Sequence, residues 1–252
     1  MKDVIALVDL DDTLFQTIRK CPADVPHSDL VALGFDKDGE PLSYATPRQM
    51  RFLDWLLANA EVIPVTARSL DATRRVRFAY DRAIAANGAI FIDEDGQVDE
   101  AWSRQILEEG LPYASTLDHL MAEGLRVAAE RGAAIRSWIV QDGDVPSYMV
   151  MKLLNRGDDV AQLHEVAHAI RPQVPEGWTF HVNGTNVAIT PPHIGKARAV
   201  ERLIPALRKA NPNVTIIGVG DSVTDGPFMA LCDMAMCPPR SQLGDRMLGE
   251  HA

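Results

Sequence analysis

Three short runs of apolar, mostly β-branched residues punctuate the chain, at Val4–Val8, Val62–Val65 and Val214–Val219. Unbroken apolar runs of this length read as strands buried on both faces. Between the first two lies Thr46–Ala60, where Thr46 can cap, Pro47 suits the first turn, and Met50, Leu53, Trp55, Leu56 and Leu57 supply an apolar face. Further helices are expected over Ser69–Ala86 and Lys196–Lys209. Strands alternating with helices predict an α/β core, a mostly parallel sheet covered on both faces.

The middle of the chain has a different rhythm. After the turn signal Asn87–Gly88, the stretch AIFIDEDGQV suggests a hairpin around Asp95–Gly96. A helix is expected over Tyr113–Arg131, then strands over Ile135–Gln141 and Ser147–Leu154. A second round follows: a helix over Asp158–Arg171, then strands Trp178–Val182 and Asn186–Thr190 around Asn183–Gly184. Helix–hairpin, helix–hairpin is an α+β module with antiparallel pairing, inserted into the α/β domain. The expected division is a core of residues 1–87 and 191–252 with an insert at 88–190. Residues 16–45 form a smaller excursion, with a hairpin tip at Phe35–Gly39.

Composition narrows the function classes. The 252 residues include 25 Lys and Arg against 35 Asp and Glu, a formal charge of −10. Such a balance argues against a nucleic-acid or anionic-membrane binder, either of which needs a basic face. An anionic ligand must then be held by local cations or by a metal. The three cysteines, Cys21, Cys232 and Cys237, form no disulfide framework and read as buried thiols of a reducing compartment. Only five consecutive apolar residues precede Asp9, too few for a signal or a membrane span, so a cytoplasmic protein is expected.

Carboxylates gather where the apolar runs end. The first run leads directly into Asp9-Leu10-Asp11-Asp12-Thr13, with Asp9 and Asp11 on the same side of an extended chain. They lie past the C-terminal end of a parallel strand, where open α/β sheets bind ligands. The second run ends at Thr66, whose hydroxyl and N–H suit a phosphate oxygen, and Arg68 follows, suited to a substrate contact or to a salt bridge at the helix entrance. Lys196 opens a helix, where the dipole disfavours a cation unless acidic groups or an anion face it. The third run leads into Gly220-Asp221-Ser222-Val223-Thr224-Asp225, with two more carboxylates. Taken singly, the DxD reads as a solvated turn, Thr66 as a cap and Lys196 as a surface lysine. Taken together, four carboxylates at one sheet edge would repel one another unless a divalent cation joined them, and hard oxygen donors point to Mg²⁺.

In their order, DLDDT at 9–13, VTAR at 65–68, Lys196 and GDSVTD at 220–225 resemble the motifs of the haloacid dehalogenase-like hydrolases. The insert is similar to the α/β cap (type IIB) of the subgroup that holds sugar-phosphate phosphatases and phosphomannomutases. Its helix–hairpin repeat resembles the compact cap of sucrose-phosphate, mannosyl-phosphoglycerate and Cof-like phosphatases. The resemblance implies that Asp9 attacks phosphorus and that Asp11 acts as acid and then base. It implies Mg²⁺ on Asp9, the Asp11 carbonyl, Asp221 and Asp225, with Thr66 and Lys196 on the phosphoryl oxygens. It also implies a small phosphorylated metabolite, such as a sugar phosphate, selected by the insert. The chain departs from the family's common pattern at Asp12, often Gly, and at Thr224, often Asn. A mutase on the same core and a non-catalytic phosphate- or metal-sensing module are the competing expectations. A dependence on a bisphosphate activator, or binding without turnover, would distinguish them.

Overall fold

In the computed structural model, which describes residues 2–155, 160–184 and 186–249, the elements follow in chain order as β1 (Val4–Val8), β2 (Gln16–Thr17), β3 (Val31–Phe35), β4 (Pro41–Ala45), α1 (Pro47–Asn59), β5 (Glu61–Pro64), α2 (Leu70–Arg74), β6 (Ala83–Ala85) and β7 (Ile90–Ile92). Then come α3 (Glu100–Gly110), α4 (Ala114–Glu130), β8 (Ile135–Asp142), β9 (Val145–Leu153), α5 (Val160–Ile170), β10 (Thr179–Asn183) and β11 (Asn186–Thr190). The chain ends with α6 (Lys196–Ala210), β12 (Thr215–Val219), α7 (Gly226–Met229), β13 (Met234–Met236) and α8 (Gln242–Leu248). It divides into two compact units, Met1–Asp99 with Lys196–Ala252, and Glu100–Gly195. Expected helix residues 158 and 159 lie outside the described residues.

The three apolar runs form the centre of the first unit. β1 pairs in parallel with β12 on one side and with β5 on the other, and β13 extends the sheet beyond β12. Ile5, Ala6, Leu7 and Val8 have no exposed surface, which explains why the run needs no polar alternation. Helix α1 starts with the full capping box: Thr46 Oγ1 accepts from Gln49 N, and the Gln49 side chain bonds back to the Thr46 backbone. Leu53 and Leu56 turn its buried face into the core that Leu10, Leu14 and Phe15 also fill. The excursion at 16–45 is a three-stranded antiparallel sheet in the order β2-β4-β3, turning at Asp36–Glu40 as the hairpin tip requires.

Unit Glu100–Gly195 is built on the antiparallel sheet β10-β11-β9-β8. Met149, Met151, Leu153, Val187 and Ile189 pack with Leu117, Leu120 and Val127 of α4 and Leu163, Val166 and Ile170 of α5. Gly124 allows α4 this approach, since a Cβ there would meet Met151 Sδ at 2.8 Å.

The expected helix over Ser69–Ala86 is corrected. Ser69 caps α2, but the helix stops at Arg74. Val76 turns into the core and bridges Gly34, while β6 pairs with β7 through Ile84 and Phe91. Ile84 is fully buried and its carbonyl accepts from Thr66 N, so tertiary burial overrides local helix preference. The turn at Asp95–Gly96 forms, although β7 takes its partner upstream in β6 and meets the far side of the turn only at the Ile92–Val98 bridge. Helix α3, strand β13 and helices α7 and α8 had no counterpart in the expected pattern. The cysteines are unpaired and half-buried rather than buried. No helix among the described residues is long and apolar enough to cross a membrane.

Placing Ile84 in a buried strand has a measurable consequence. Ile84→Ala is expected to cost about 2–5 kcal/mol in denaturant unfolding, as a core truncation does. A loss under about 0.5 kcal/mol, typical of a surface position, would contradict the assignment.

Candidate active site

Asp9 follows β1 and its N–H donates to Val219 O at the end of β12, at 2.8 Å, so the ends of two parallel strands are tied together at this residue. Lys196, the first residue of α6, reaches the same point. Its Nζ donates to Asp9 Oδ1 at 2.5 Å and to Asp225 Oδ1 at 2.6 Å, and all three residues are buried. A cation at a helix start is disfavoured by the dipole, and two buried carboxylates supply the compensation. Asp225 is in turn held from behind, since its Oδ2 accepts from the N–H groups of Asp221 and Ser222 at 3.3 and 3.0 Å. Gly220 leaves room for it: a Cβ there would lie 2.6 Å from Asp225 Cβ.

Asp221 completes the group. One carboxylate oxygen from each of Asp9, Asp221 and Asp225 lies within 4.8 Å of the other two. Thr13, to which the motif pattern alone assigns no role, donates towards Asp9 Oδ2 at 3.1 Å and Asp221 Oδ1 at 3.3 Å. Its place four residues after Asp9 in the DLDDT motif was the available signal. The Ser222 and Thr224 hydroxyls pair at 2.9 Å, and Ser222 Oγ donates to Gln242 Oε1 of α8 at 3.2 Å, a support with no sequence signature.

Electrostatics follows from burial of like charges. Burial pushes the Asp9 carboxyl up to about 8, with Asp225 and Asp221 adding to the rise and Lys196 opposing it. Burial also raises Asp221 to about 6, reinforced by Asp225 and Asp12. For Lys196, burial works to lower the value, but Asp9 and Asp225 outweigh it and keep the ammonium charged. Three carboxylates around one lysine leave an excess of negative charge with only oxygen donors, and a hard divalent cation such as Mg²⁺ fits that donor set.

The other sequence candidates are placed differently. The Asp11 carboxylate is not in the acidic cluster. It is half-exposed and takes a bidentate ion pair from Arg68. Of the two uses open to Arg68, the structure therefore shows the salt bridge. Thr66 sits past the end of β5, the neighbour of β1, and is buried, with its Oγ1 accepting from Arg68 N at 3.1 Å. Asp12 adopts φ +64° and pairs with Lys20, serving the turn. Asp tolerates this left-handed conformation better than most residues, so it can replace the glycine more common in the resembled motif.

No protein-family model matches the sequence, and no curated protein matches it significantly. Solved structures do match. The sucrose-phosphatase of Synechocystis sp. PCC6803, in complex with sucrose and phosphate, aligns with 99% of this chain and 90% of its own at 15% identity, TM-score 0.55. The C-terminal domain of Candida albicans trehalose-6-phosphate phosphatase aligns with 89% of this chain and 72% of its own at 13% identity, TM-score 0.56. The chain shares the fold of these phosphatases. Plasmodium falciparum IMP-nucleotidase is a further similar structure, covering 93% of this chain and 63% of its own at 12% identity, TM-score 0.55. Within this fold, the four sequence motifs occupy the ends of β1, β5 and β12 and the start of α6.

The buried carboxyls predict a pH-dependent stability. A folded-state value raised above the ordinary 3.8 means that the folded metal-free protein binds protons the unfolded chain has lost. Stability from this source is fully present below about pH 4 and is lost as pH rises through about 8. Asp9→Asn removes the penalty, so its metal-free Tm should exceed that of the wild type by a margin growing between about pH 5 and pH 8. A margin independent of pH in calorimetry would contradict the assignment.

Proposed function

We propose that the protein is a Mg²⁺-dependent phosphomonoesterase acting on a small phosphorylated metabolite of the sugar-phosphate class. The observation that supports this most directly is the buried group of Asp9, Lys196, Asp221 and Asp225 at the strand ends, in a chain with the fold of known phosphatases. Asp9, the backbone carbonyl of Asp11 and Asp221 would hold Mg²⁺, with Asp225 supporting them. The bound ion supplies the charge neutralisation that lets an anionic carboxylate meet an anionic phosphate.

Asp9 acts as nucleophile. Its carboxylate oxygen forms a bond to phosphorus as the bond to the leaving oxygen breaks, giving an aspartyl-phosphate. Asp11 donates a proton to that leaving oxygen, then takes one from the water that attacks the aspartyl-phosphate. Phosphate departs and the Asp9 carboxylate returns. Using one residue as acid and then base is what a two-step displacement permits. Lys196 and Thr66 hold the phosphoryl oxygens, and the Lys196 charge counts most where negative charge builds up in the transition state. Choice of the leaving group is assigned to the insert at residues 88–190.

Phosphate release from an aryl phosphate and a panel of sugar phosphates, with Mg²⁺ and with EDTA, tests this reading. Release should require Mg²⁺, and Asp9→Asn should lose at least about 10³-fold in kcat while still unfolding in one cooperative transition. EDTA-insensitive release, or near-normal turnover by Asp9→Asn, would overturn it. Mg²⁺ binding should also release protons and tighten as pH rises from about 6 to about 8, because the raised carboxyls must ionise to bind metal. Titration calorimetry in buffers of different ionisation enthalpy measures that release, and an affinity unchanged by pH would place the metal elsewhere.

A further inference from the structure

The three-stranded excursion at 16–45 has no part in the steps above, yet it encloses Arg68. The guanidinium donates from Nε to Asp11 Oδ2 and from Nη2 to Asp11 Oδ1, both at 2.7 Å. Nη2 also donates to Ser43 Oγ of β4 at 3.0 Å, and the guanidinium carbon lies 5.0 Å from the Phe15 ring centroid. β3 passes so close that a Cβ on Gly34 would come 3.0 Å from Ser43 Cβ and 3.1 Å from Arg68 Nη1. The Arg68 backbone is pinned as well, donating to Thr66 Oγ1 and accepting from Ala86 N.

Arg68 is thus immobilised, with its side chain 14% exposed, while the Asp11 side chain is 48% exposed. A carboxylate has about four lone-pair directions, and a bidentate pair with arginine uses one on each oxygen. The ion pair therefore fixes the rotation of Asp11 without covering it.

We propose that the excursion acts in the reaction through Arg68: Gly34 and Ser43 set the guanidinium, and the guanidinium sets the Asp11 carboxyl. This rests on the reading of Asp11 as the proton donor to the leaving oxygen. Arg68, Ser43 and Gly34 are positioning residues, and their effect appears only where that proton is needed. As the phosphorus–oxygen bond breaks, its electron pair leaves with the oxygen. Asp11, whose side chain is 48% exposed, takes up a proton from solvent beforehand; an alkyl oxygen collects that proton, whereas a nitrophenolate departs without one.

The test compares p-nitrophenyl phosphate with the sugar phosphate that wild type turns over fastest. Arg68→Ala is expected to lower kcat on the sugar phosphate about 10²-fold and on the aryl ester less than about threefold, with KM little changed. Ser43→Ala, a milder change with an unaltered melting transition, should show the same split at about fivefold. Arg68→Lys keeps the charge but not the fork and should behave like Arg68→Ala. In an Asp11→Asn background, Arg68→Ala should add less than about twofold. Equal losses on both esters, a loss confined to KM, or full additivity with Asp11→Asn would overturn the inference. Failure of the phosphatase reading is separately visible, since wild type itself would then release no phosphate from either ester.

Discussion

Lys196 lies between two buried carboxylates, and much of the first unit is arranged to make that contact. Asp9 comes from the end of β1, Asp225 from the turn after β12 and Lys196 from the start of α6. None of these positions favours its residue alone. Buried carboxylates resist ionisation, and the dipole resists a lysine at a helix start. Assembled, each group offsets the cost of the others only in part, leaving an excess of negative charge that a divalent cation can balance. Sites that hold such unresolved electrostatics are where catalytic groups are commonly found.

Asp9 and Asp11 are two residues apart and have been given opposite surroundings. Asp9 is buried against an ammonium and beside two other acids. Asp11 stands half in solvent against a guanidinium. Two carboxyls whose environments differ this sharply can take different tasks, one attacking and one moving protons. The left-handed turn at Asp12 lies directly after Asp11, before Thr13 reaches back to Asp9 and Asp221.

What was legible in the sequence had short-range causes. Val4–Val8 could be read as a buried strand because nothing polar interrupts it, and Thr46 and Pro47 announced α1 by local capping chemistry. The acidic motifs were visible because each follows an apolar run that ends abruptly. The failures involve distant partners. Ser69–Ala86 looked helical until Val76 met Gly34 and Ile84 met both Thr66 and Phe91. Helix α3 escaped notice although Trp102 and Ile106 are its buried face, since two apolar anchors in eleven residues make a weak pattern. Strand β13, all three residues exposed, has no alternation to read. Ser43 could not be linked to Asp11 from the sequence, because the link runs through Arg68, which is distant from both along the chain.

The central claim, that Asp9 is the nucleophile of a phosphoryl transfer, is tested most directly by rapid acid quench during the first turnovers with a ³²P-labelled ester and Mg²⁺. Label should appear on the protein within one turnover, be released by hydroxylamine as an acyl phosphate is, and map to the peptide containing Asp9. Phosphate release with no labelled protein at any quench time, or label on a different residue, would contradict it.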